Sequence, residues 1–187
     1  MNPLQMTRRQ LIKALSLSTL ILPFGNIAWA EKKFDKNPFS LGVASGSPGA
    51  QSIVLWTRLI DDQLVDSNLH SEPIAVKWEL AEDSQFKKMI QSGVSLAIPA
   101  VAYSVHVEVN ALPSNQWFFY RFQTGNLVSD VGRARTLPAP NDLVDKLRMS
   151  YASCQNYEHG HFSAYKHMRD ENLDLVMFLG DYIYEYG

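Results

Sequence analysis

VAYSVHVEV, residues 101–109, decides the architecture of most of this chain. Val101, Tyr103, Val105, Val107 and Val109 alternate with Ala102, Ser104, His106 and Glu108. A period of two turns one set toward a core and the other toward water, which describes a strand with one buried face. The pattern recurs upstream, where Ile74, Val76, Trp78 and Leu80 interleave with Ala75, Lys77 and Glu79. Residues 117–124, WFFYRFQT, predict a third strand, aromatic on both faces. Shorter runs at 39–45, 53–59, 93–97 and 130–136 predict further strands.

Turn-forming residues separate these runs: Gly46-Ser47-Pro48-Gly49, Asp61-Asp62, Asp83-Ser84, Pro113-Ser114-Asn115 and Gly125-Asn126. About seven short strands at such spacing, with no long helix, read as a β-sandwich of immunoglobulin or fibronectin type III kind. The chain has one cysteine, so no disulfide can bridge the sheets, and the fibronectin-like variant is the better match. Leu137-Pro138-Ala139-Pro140-Asn141-Asp142 breaks the pattern and reads as a linker, which bounds the module at 37–140. His106, on the polar face of its strand, and Arg58 are read as surface residues, and no catalytic residue is assigned to this module.

With 187 residues and 46% hydrophobic content, the chain suffices for one medium domain or two small ones. The formal net charge is -2, and no basic cluster stands out beyond Arg8 and Arg9, so a nucleic-acid partner is not expected. The lone Cys154 leaves four readings open: an intermolecular partner, a reactive group, a metal ligand or a small buried hydrophobe.

The first thirty residues read as an address. Arg8 and Arg9 precede a short apolar run from Ala14 to Leu22, and Ala28-Trp29-Ala30 follows as an A-x-A cleavage site. The run is too short and too rich in Ser and Thr to span a bilayer, so no membrane span is expected in the mature chain. The paired arginines resemble a twin-arginine signal over 1–30, with Leu11 where Phe is commoner. The expectation is export through the twin-arginine machinery, already folded, to the periplasm or beyond the cell.

From Leu147 the chain changes character. Residues 147–153 predict a strand, 162–171 a helix with a narrow apolar stripe, and 173–179, LDLVMFL, a strand covered on both faces. A strand, a helix and a second apolar strand predict a parallel crossover. Residues just past the carboxyl ends of parallel strands share one edge, where open α/β sheets bind ligands. Cys154 follows the first strand and Asp181, after Gly180, the second. A thiol and a carboxylate are thus expected together, a pair suited to a metal ion.

The segments Ala152-Ser153-Cys154-Gln155-Asn156-Tyr157 and Leu179-Gly180-Asp181-Tyr182-Ile183-Tyr184-Glu185-Tyr186-Gly187 resemble the two opening motifs of the alkaline phosphatase D (PhoD) family. Residues 39–46, FSLGVASG, and 54–59, VLWTRL, resemble that family's N-terminal fibronectin-like domain, and 131–138, VGRARTLP, its exit, with Ala134 where Thr is usual. The resemblance implies a calcineurin-like metallophosphoesterase core, beginning here at 146–187, that carries iron and calcium. Matched residue by residue, it implies Cys154 as an iron ligand, Asp181 as the carboxylate bridging the metals and Tyr184 as a tyrosinate iron ligand. Glu185 is implied only as an orienting neighbour. The implied reaction is hydrolysis of phosphate monoesters or diesters. The family's further ligands, an Asn-His motif among them, have no counterpart in this sequence, so it is expected to be inactive alone. His159, His161 and His167 are not read as substitutes. Two rivals remain: an exported fibronectin-like binding module without catalysis, and a hydrolase using Cys154 as nucleophile with a neighbouring His.

Overall fold

A computed structural model of the chain describes residues 34–61 and 72–185. The signal segment expected at 1–30 lies outside the described residues. Two compact units meet at the boundary between Ala139 and Pro140.

Among the described residues the first unit contains eight strands: β1 (Val43–Gly46), β2 (Ile53–Arg58), β3 (Ile74–Ala81), β4 (Met89–Ala97), β5 (Ser104–Val109), β6 (Trp117–Thr124), β7 (Leu127–Val128) and β8 (Gly132–Arg135). One antiparallel sheet has the order β1-β2-β5; the other has the order β4-β3-β6-β7, with β8 also paired to β6. Period-two alternation sends Ile53 and Leu55 of β2 and Val105, Val107 and Val109 of β5 inward from the first sheet. Val76, Trp78 and Leu80 of β3 and Phe118, Tyr120 and Phe122 of β6 come inward from the second. All belong to one buried hydrophobic cluster, so the sheets close on each other as a β-sandwich. Each such side chain contributes about 1.5–3 kcal/mol by leaving water. Two hydroxyls taken inside are bonded: Thr57 Oγ1 donates to the Gly42 carbonyl at 2.9 Å and Thr136 Oγ1 to that of Pro113 at 2.7 Å.

The run at 101–109 is only partly a strand. Pro99 opens a 3-10 turn, Pro99–Val101, and Ala102 and Tyr103 follow at left-handed φ of 51° and 57°. Tyr103 is nonetheless buried, and its carbonyl accepts from Leu59 N at 3.2 Å, so the turn preserves the inward alternation after leaving the strand conformation. β4 begins at Met89, four residues before the expected start, with Gly93 inside it rather than at its head. A Cβ at Gly93 would meet the Trp78 indole at 2.8 Å, so the glycine makes room for that ring. At the other end of the module, the two-residue β7 was not anticipated.

The second unit has β9 (Met149–Ala152), an eight-residue helix α1 (Ser163–Asp170) and β10 (Leu175–Phe178). β9 and β10 are parallel, from Met149 opposite Leu175 to Ala152 opposite Phe178, with the helix in the connection. His167 and Arg169 occupy its last turn, favourably placed at the negative end of the helix dipole. The expected two-sided covering of 173–179 is not found: Val176, Met177, Phe178 and Leu179 are exposed. No residue from 140 to 185 is buried, because two short strands and two helical turns cannot enclose a core. No helix among the described residues is long and apolar enough to cross a membrane.

Candidate metal centre

Because β9 and β10 run in the same direction, Ala152 and Phe178 end at one edge, and pairing continues past both strands. Leu179 N donates to Ala152 O at 2.8 Å, Cys154 N to Gly180 O at 3.2 Å, Gln155 N to Asp181 O at 2.9 Å and Tyr157 N to Tyr182 O at 2.8 Å. The two loops are therefore held together through their peptide groups. Within this zipper the backbone is left-handed at Cys154 (φ 53°), Asn156 (49°) and Asp181 (59°), with Gly180 at 105°. Such conformations cost about 1–2 kcal/mol each outside glycine. The added main-chain bonds hold the loops in them.

The result brings two of the candidate residues together. Cys154 Sγ lies 3.4 Å from Asp181 Oδ2, with Ser153 Oγ 3.3 Å from the same sulfur. Both residues are exposed, so Cys154 is not the small buried hydrophobe that remained one of its readings. Tyr184, the third candidate, is half-buried on the segment that follows β10, three residues past Asp181. Among the described residues no group of three or more His, Cys, Asp or Glu side chains is gathered closely enough to hold a metal ion. His159 Nδ1 lies 3.2 Å from Asn156 Oδ1, away from the thiol's own partners.

Residues the motif reading left without a role frame the edge. The Tyr165 hydroxyl on α1 donates to Gln155 Oε1, tying the helix to the loop that carries Cys154. Burial pushes the Tyr165 phenol above its ordinary pKa, and Tyr182 adds to the shift. Tyr157 stacks on Phe162 with centroids 5.8 Å apart and meets Tyr182 at 5.3 Å, while Phe178 meets Tyr182 edge-on at 5.8 Å. The aromatic content of both motifs was visible in the sequence; the cluster required the loop pairing that only the fold supplies.

The donor set suits iron and calcium in kind. A thiolate favours a transition metal over a hard cation, and a carboxylate oxygen serves either. It is short in number: one sulfur and one carboxylate lie together.

The chain matches two family models, the N-terminal domain of PhoD-like phosphatases over residues 26–138 and PhoD-like phosphatase over residues 149–187. It is 51% identical over 158 residues to alkaline phosphatase D of Bacillus subtilis (strain 168), a span covering 84% of this chain and 27% of that relative. A solved structure of PhoD superimposes with a TM-score of 0.78 at 51% identity, over 83% of this chain and 30% of that one. The chain thus spans roughly a quarter to a third of the length of these relatives. From the sandwich through the edge that carries Cys154 and Asp181, the chain belongs to the PhoD-like phosphatase family.

Proposed function

We propose that this chain supplies the opening part of a metal-dependent hydrolase of phosphate monoesters or diesters. Cys154 and Tyr184 would hold iron, and Asp181 would supply a carboxylate to the iron and calcium site. The observation that carries the reading is the 3.4 Å approach of Cys154 Sγ to Asp181 Oδ2 at the carboxyl edge of a parallel strand pair, within a family of phosphatases. Bound cations would neutralise the phosphate and position the attacking oxygen. The protein's own contribution is to hold the sulfur and the carboxylate at one separation through the zippered loops, with α1 braced against them by Tyr165.

Three donors do not complete a two-metal shell, so these 187 residues by themselves bind iron weakly and do not turn over substrate. The domain scheme follows the same reading: a twin-arginine signal at 1–30, a fibronectin-like sandwich at 37–140 and a calcineurin-like metallophosphatase region from 146. Export to the periplasm or beyond follows from Arg8 and Arg9; a double Lys substitution that left export unchanged would refute that route.

The test is metal retention at equilibrium. Purified chain dialysed anaerobically against ferrous iron should hold an excess of iron over the buffer by elemental analysis, and Cys154→Ser with Asp181→Asn should abolish it. Equal retention in the double variant would overturn the assignment. Aryl phosphate and bis-aryl phosphate assays with iron and calcium should show no turnover by the chain alone.

The second reading, a fibronectin-like binding module without catalysis, is favoured by one observation: every buried residue of the described chain lies in the sandwich. The thiol-nucleophile reading has less support, since the side-chain partners of Cys154 are Ser153 and Asp181 rather than an imidazole.

A further inference from the structure

The parallel register of β9 and β10 gives the pair two apolar faces. Met149 and Tyr151 share one face with Leu175 and Met177, while Val176 and Phe178 dominate the other, beside Ser150 and Ala152. Both faces are open, with Tyr151 67% exposed on the first and Val176 44% on the second. Parallel strands carry apolar residues on both sides where both sides are covered, and two strands by themselves do not make a stable sheet. The unit is therefore suited to a covering that residues 140–185 do not themselves supply.

Exposure on both sides narrows what the occupant can be. A second copy laid on one face, or a lipid surface, would leave the opposite face in water. The occupant has to cover two faces of one sheet, as the layers of an α/β polypeptide do. The edge of the sheet makes a matching demand. Cys154 Sγ and Asp181 Oδ2 meet there at 3.4 Å, and among the described residues no third Cys, His, Asp or Glu joins them as a metal-holding group. A covering polypeptide that also brings donors to this edge answers both needs. The matched relatives have the length for it, since the chain covers 27% of one and 30% of the other. We propose that the two faces of the β9–β10 pair are a docking surface for a polypeptide carrying the remainder of a PhoD-like phosphatase, and that they hold it without a covalent join. The identity of this partner rests on the phosphatase reading; the need for cover on both faces does not. Docking orders the second unit, so association and folding are coupled there.

The test is a chimera in which the part of Bacillus subtilis alkaline phosphatase D beyond its matched region continues from Gly187 across an inserted protease site. After cleavage at that site the two pieces should co-elute in gel filtration at micromolar concentration. Residues 140–185 should then resist a second protease that cuts them in the chain alone. Tyr151→Asp on one face and Val176→Asp on the other should each raise the dissociation constant of the cleaved pieces by about tenfold or more, as loss of apolar burial requires. Met149→Leu, which conserves volume and polarity, should leave it unchanged. Tyr151 and Val176 are exposed, so either aspartate should leave the melting of the chain alone as it was. Pieces that separate on cleavage, a chimera that never becomes soluble, or a complex indifferent to both aspartates would overturn the proposal. Iron in the cleaved pair is read separately: a complex that forms without holding iron upholds the docking and refutes the ligand assignment.

Discussion

Gly132 sits where the Tyr120 ring crosses β8, and a Cβ there would meet the ring at 2.3 Å. Tyr120 is buried; burial pushes its phenol up to about 12, only partly offset by a hydrogen bond with Ser45. The ring has little room to move, so Gly132→Ala should cost about 1–3 kcal/mol in urea unfolding, as overpacking does in other cores. Glu79 makes a second test. Burial raises its carboxyl, but Lys77 at 2.5 Å and Arg121 at 2.6 Å more than offset this and hold it below the usual 4.5. A carboxylate lowered in the folded state contributes fully above its unfolded value, and that contribution disappears as pH falls through the folded one. Stability should therefore drop below pH 4.5 more steeply in the native chain than in Glu79→Gln. That variant should itself lose about 1–2 kcal/mol at neutral pH through its broken charge-assisted bonds.

At the scale of elements, burial divides the chain. β3 and β6 are paired on both sides and lined by residues of zero exposure, such as Val76, Leu80, Phe118 and Phe122. β9, β10 and α1 contain no buried residue. Amide exchange should be slowest in β3 and β6 and fast in β9 and β10, and brief protease treatment should cut between 140 and 185 while leaving the sandwich intact. Equal protection of the two parts would contradict this account. The same division explains how much could be read from sequence. β3 was legible because its side chains alternate, and β6 from its density of aromatic residues; 117–124 matches β6 end to end. The start of β5 was misplaced because Tyr103 is buried from a left-handed turn, which alternation cannot tell from a strand. The parallel crossover was legible from its apolar runs, and so was the meeting of Cys154 with Asp181. The aromatic cluster around them was not, since Tyr157 and Tyr182 are brought together by main-chain hydrogen bonding between loops remote in sequence.

For the molecule as a whole, one cooperative core is expected in the calorimeter. A sandwich of roughly 100 residues should absorb about 70 kcal/mol near 60 °C, whereas cooperative melting of all described residues would approach about 100 kcal/mol. A measured value near the upper figure would mean that residues 140–185 share in the core after all. The edge that carries Cys154 and Asp181 thus belongs to the less stable part of the chain, and its geometry rests on main-chain bonding rather than on side-chain packing. The span between its sulfur and its carboxylate is ruled by amide-to-carbonyl links, from Cys154 to Gly180 and from Gln155 to Asp181. A frame made this way does not depend on which reactive atoms it displays. Imidazole in place of the thiol, or an amide in place of the acid, would change which atoms the edge displays while leaving the backbone frame alone.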